Sequence, residues 1–197
     1  MSRRRGIPLL GAVGLAGVLA LTGCATSATE AGGGHDGHGS ASEAPAEASA
    51  ADVMFAQMMI PHHEQALEMS AIVLAKPGLA PEVAELAEEI QAAQGPEIAQ
   101  LEQWLEEWGE PREMPEGHGH EMDGMLSDDE LAALESADAE TASTLFLEQM
   151  IAHHEGAVAM AEEELEAGTH EGALELAQAI VDTQTAEIER MRELLAG

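Results

Sequence analysis

Residues Phe55 to Ser70 recur as Phe146 to Ala161 at an offset of 91, with 8 identities in 16 positions. The matches are Phe55/Phe146, Met59/Met150, Ile60/Ile151, His62/His153, His63/His154, Glu64/Glu155, Ala66/Ala157 and Met69/Met160. A second pair of segments matches at an offset of 90, where Leu86, Ala87, Ile90, Gln94, Glu97 and Ile98 recur as Leu176, Ala177, Ile180, Gln184, Glu187 and Ile188. A duplicated unit of this size is a helical hairpin, whose apolar face needs a neighbour to bury it. Two hairpins of like sequence predict an all-α four-helix bundle with a pseudo-two-fold axis.

Local signals place the helices. Beyond Asp52 apolar residues recur at three and four spacing, and β-branched runs are absent. The spacing predicts helices over about 52–75, stopped by Lys76-Pro77-Gly78, and about 81–108, opened by Pro81 and ended before Gly109 and Pro111. The second hairpin spans about 139–167 and, after Gly168-Thr169, about 170–195. Ser127-Asp128-Asp129-Glu130 reads as a capping box that opens a short extra helix. Pro61 and Gly95-Pro96 fall inside the first two helices, where kinks are expected, and neither proline recurs in the second hairpin.

Charge excludes one class of partner. The chain has 38 Asp plus Glu against 7 Lys plus Arg, a net charge of -31. Such a surface repels phosphate backbones, so nucleic acid is not an expected partner. Two Phe, two Trp and no Tyr argue against a β-sandwich or a large ligand barrel. The enrichment lies in metal-ligand types, 9 His and 11 Met beside a single Cys.

That cysteine has its own setting. Arg3, Arg4 and Arg5 precede the apolar run Ile7 to Leu21, which ends in Leu21-Thr22-Gly23-Cys24. Residues 1–23 read as a secretory signal, and the last four residues resemble the lipobox of bacterial lipoproteins, with Cys24 as the lipidated residue. Losing the three arginines takes the charge from -31 to -34. Lipidation consumes the only thiol, so disulfides and thiolate metal sites are not expected. Residues 24–51, rich in Ala, Gly, Ser, Glu and Pro, are expected to form a disordered tether to the bundle domain at 52–197. The expected location is thus exported, lipid-anchored to the outer face of the bacterial cell membrane, with the anchor as the only membrane contact.

The pattern Phe-x3-Met-Ile-x-His-His-x2-Ala-x2-Met, present twice and each time followed by Gln-x2-Glu-Ile, resembles the bacterial family called domain of unknown function 305. The resemblance covers roughly residues 52–195. It implies a ferritin-like four-helix bundle that is usually exported, with copper binding or tolerance in some members. It implies no established enzyme activity.

At about 100° per residue, Phe55, Met59, His62, Ala66, Met69 and Val73 form one stripe, repeated by Phe146, Met150, His153, Ala157 and Met160. His62 and His153 therefore face the core, His63 and His154 flank them, and Met59 and Met150 sit one turn before each pair. Hairpin register brings Gln94 and Glu97, and likewise Gln184 and Glu187, to the same height. Glu64 and Glu155 point away. The candidate metal ligands are His62, His63, His153, His154, Met59, Met150, Glu97 and Glu187, supported by Gln94 and Gln184. Imidazole and thioether without thiolate suit copper, and His with Glu also accepts zinc. The alternative is a metal-free network in which His62 and His153 bond to Glu97, Glu187, Gln94 and Gln184 and hold helix register. Met114, His118, His120, Met122 and Met125 form a loop of auxiliary ligands.

These readings predict a membrane-anchored extracytoplasmic metal-binding protein for copper sequestration, tolerance or delivery. Metal ions are its expected partners. A metal-free helical interaction or structural lipoprotein is the alternative. A di-iron oxidoreductase is disfavoured because no Glu-x-x-His occurs, and no nucleophile constellation supports another enzyme.

Overall fold

The structure, a computed structural model, describes residues 48–114 and 123–197. The signal segment, Cys24 and nearly all of the tether lie outside the described residues, as do His118, His120 and Met122. Five helices follow in order: α1 (Ala50–Leu74), α2 (Pro81–Trp108), α3 (Asp128–Ser136), α4 (Ala139–Ala167) and α5 (Glu171–Ala196). α1, α2, α4 and α5 form the four-helix bundle, α3 is the short extra helix, and no strand occurs among the described residues.

Local chemistry sets the boundaries. Ser49 and Asp52 form a capping box on α1, and Ser127 with Glu130 forms the expected one on α3. Asp138 caps α4 through the Thr141 N–H, and Pro81 opens α2 at its first turn. Gly109 ends α2 in the left-handed region, at φ 74°, which glycine adopts without steric cost. α1 and α2 stay helical through Pro61 and Pro96, so the missing donors do not end either helix.

α1 and α4 run antiparallel, placing His62 against His153 and Asp52 near Glu164. Two apolar clusters flank that crossing. One contains Met69, Val73, Leu86, Ile90, Leu134, Phe146, Met150 and Met191; the other contains Phe55, Met59, Ile60, Leu101, Trp104, Ala161 and Ile180. Repeat partners fall in opposite clusters: Phe55 and Phe146, Met59 and Met150, Ile180 and Ile90. This is what a pseudo-two-fold axis through the crossing requires, and the polar layer at the axis divides the core.

Asp52 ties the chain across 117 residues. One of its oxygens accepts from the N–H groups of Thr169 and His170, each at 2.9 Å, and the other accepts from Ser49 N–H at 2.5 Å and Thr169 Oγ1 at 3.1 Å. A single buried carboxylate thus serves the start of α1 and the turn into α5.

Candidate metal centre

The helical stripe puts the paired histidines where register predicts. His62, His63, His153 and His154 are all 0% exposed. The rings of His62 and His153 meet across the α1–α4 seam with centroids 3.8 Å apart and planes tilted by 39°. No well-aligned hydrogen bond reaches either ring nitrogen of His62 or of His153, the Asp123 backbone lying near the His62 ring. Four buried nitrogens without partners are costly, at about 1–3 kcal/mol for each unsatisfied group.

The flanking histidines meet the carboxylates. His154 Nε2 bonds Glu187 Oε2 at 2.7 Å, while His63 Nε2 lies 2.8 Å from Glu97 Oε2, close but not aligned as a hydrogen bond. The two pairs are repeat equivalents and obey the same axis. Gln94 and Gln184 are buried in the same layer, each with a side-chain carbonyl that no donor reaches. This differs from the metal-free network expected above: Glu97 and Glu187 partner His63 and His154, one position round from the stripe, and His62 and His153 are left bare.

Electrostatics keeps those rings neutral. Burial, with His63 and His154 nearby, lowers the His62 pKa to about 3, partly opposed by the Asp123 backbone. Burial and the other three histidines also push His153 well below its ordinary value. A neutral imidazole presents the lone pair that a metal ion needs. Among the described residues, however, no three His, Asp or Glu side chains are grouped so as to hold a metal ion. Met59 and Met150 are fully buried beside the layer, so thioethers are at hand to complete a donor set.

A loop seats on this layer by means the repeat does not reveal. Gln65 donates to the Leu126 carbonyl at 2.9 Å and accepts the Leu126 N–H at 2.7 Å. Its repeat counterpart is Gly156, where a Cβ would overlap the Asp123 carbonyl oxygen. Divergence at one repeat position thus creates an anchor on α1 and a seat on α4. Met114 and Met125, at either end of the connection, are half-buried. Glu64 and Glu155 are exposed as expected, paired with Arg112 and Arg192.

The family's sequence profile, described as Domain of unknown function (DUF305), matches residues 52–195. The chain belongs to the DUF305 family. A Streptomyces coelicolor DUF305 protein, predicted to be secreted, is 35% identical, with a TM-score of 0.70 over 74% of this chain and 92% of that one. A DUF305 fragment from Deinococcus radiodurans is 38% identical, with a TM-score of 0.68 over 76% and 97%. CopM in its Cu(I)-bound form is 30% identical, with a TM-score of 0.61 over 73% and 94%, and its Cu(II)-bound and silver-bound forms match similarly. None of these is named for a catalysed reaction, and no curated protein matches the chain.

Proposed function

We propose that this DUF305 protein binds copper at the paired-histidine layer and serves outside the cytoplasm to sequester or deliver it. The observation that carries the reading is the His62–His153 contact: two fully buried, neutral rings with no well-aligned hydrogen bond to any of their nitrogens. A metal ion satisfies such nitrogens, and the thioethers of Met59 and Met150 favour copper over hard cations. His63 and His154 extend the donor set, with Glu97 and Glu187 orienting them, as a carboxylate behind a ligating imidazole commonly does. Gln94 and Gln184 complete the layer. Copper is the favoured metal because CopM is a relative seen with Cu(I) and with Cu(II); zinc is the alternative.

Export fits the signal at residues 1–23 and the secreted prediction for the Streptomyces relative, with Cys24 carrying the lipid anchor and residues 24–51 the tether. His118, His120 and Met122, with Met114 and Met125, act as auxiliary ligands that pass metal toward the layer. Calorimetric titration of Cu(II) into the purified protein tests the central point. The variant carrying both His62→Ala and His153→Ala loses the tight site; unchanged stoichiometry and affinity defeat the reading.

A second reading, a metal-free structural layer, draws on the lack of a ready-made group of three His, Asp or Glu among the described residues. It predicts thermal stability indifferent to chelator and to added copper or zinc.

A further inference from the structure

A cavity of about 250 Å³ opens at the α1–α4 seam, at the end of the bundle that holds Phe55. It is lined by Met54, Met58 and Met160 together with Glu164. Met54 and Met58 are one turn apart on α1 and share a face, and Met160 faces them from α4. Met54 is 46% exposed, so its sulfur is open to solvent at the cavity mouth.

Glu164 is the second, independent observation. Its side chain is on the cavity wall at 2% exposure, where the protonated carboxyl donates to Asp52 and its own oxygens accept from no donor. Gly168 makes this placement possible, because a Cβ there would overlap the Glu164 carboxyl. The cavity wall therefore combines soft thioether sulfurs with one buried carboxyl. Exposed Glu163 and Glu166 at the same cavity add negative charge.

The repeat supplies an internal control. At the symmetry-related end the positions of Met54, Met58, Met160 and Glu164 are held by Leu145, Gln149, Met69 and Val73. Met69 and Val73 are fully buried there in a cluster that Leu134 of α3 also joins. Two of the three thioethers and the carboxyl are thus particular to one end, and a packing role common to both hairpins does not account for them.

We propose that this cavity is a second metal site, taking one soft monovalent cation of the Cu(I) class through the sulfurs of Met54, Met58 and Met160, with the carbonyl oxygen of the neutral Glu164 carboxyl beside them. Unstrained thioethers bind such ions and ignore magnesium or calcium. The site shares no residue with the histidine layer, so the two stand or fall separately.

Silver ion, a redox-inert surrogate for Cu(I), is the probe. In the purified variant carrying His62→Ala and His153→Ala, labelled at methionine methyls, NMR titration with Ag(I) shifts the Met54, Met58 and Met160 signals together, saturating at one equivalent. The same methyl shifts occur in the intact protein, where the layer takes a further equivalent. Replacing the three methionines by leucine, which keeps apolar volume, weakens silver binding at this site at least tenfold and leaves Cu(II) binding unchanged. Circular dichroism confirms that this variant is folded. Methyl signals that stay still, or that move only after several equivalents, overturn the proposal, as does a leucine variant with wild-type silver binding.

Discussion

His62 and His153, 91 residues apart in sequence, meet across the pseudo-two-fold axis with tilted rings 3.8 Å apart and no well-aligned hydrogen bond to any of the four ring nitrogens. The fold therefore carries an unfavourable contact at the centre of the seam between α1 and α4. Without metal, replacing both by leucine removes buried unsatisfied groups and raises stability by about 1–3 kcal/mol. Urea denaturation in chelator shows the double variant more stable than wild type. Added Cu(II) reverses the order, because ligand binding stabilises only the chain that holds the site.

Glu164 controls stability above neutral pH. Burial, and then Asp52 beside it, raise its pKa from 4.5 to about 8. Burial alone would raise Asp52 too, but bonds from Glu164, His170 and Ser49 hold it well below the carboxylate range. Between pH 4.5 and 8 the folded state keeps the Glu164 proton and the unfolded state does not, so its contribution falls as pH rises. The depressed His62 and His153 work the other way only below their ordinary value of 6.5. In chelator, stability therefore declines from pH 6.5 to 8, by at most about 1.4 kcal/mol per pH unit. Glu164→Gln flattens that limb; an equal decline in the variant contradicts the assignment.

The loop over the histidine layer depends on two residues. Gly156→Ala forces the Asp123 carbonyl away, and Gln65→Ala removes both bonds to Leu126. Each costs about 1–3 kcal/mol. Limited proteolysis between α2 and α3 is faster in both variants.

Asp52 and Arg190 separate buried from exposed polar contacts. Asp52→Ala strips four hydrogen bonds from Ser49, Thr169 and His170 and costs about 2–4 kcal/mol. Arg190 pairs with Glu85 and Glu89 on the surface, and Arg190→Ala changes stability by less than about 1 kcal/mol. Thermal melts rank the two.

The duplication at offsets of 91 and 90 was enough to read a two-hairpin bundle and one polar layer, because helical period and hairpin register depend on spacing alone. Caps at Ser127, Pro81 and Gly109 were legible for the same reason: each acts within four residues. Which histidine of each pair meets a carboxylate was not legible, since His62 and His63 differ by about 100° and only the lateral placement of α2 decides between them. The Asp52 bonds to Thr169 and His170, the Gln65 and Gly156 seat, and the Glu164 cavity stayed hidden. Each joins positions far apart in the chain, where sequence spacing carries no distance. The sequence by itself determined helix, layer and axis, because those follow from periodicity. Only tertiary packing decided which buried nitrogens go without partners and where the repeat departs from symmetry, because a hydrogen bond requires atoms to be within about 3 Å.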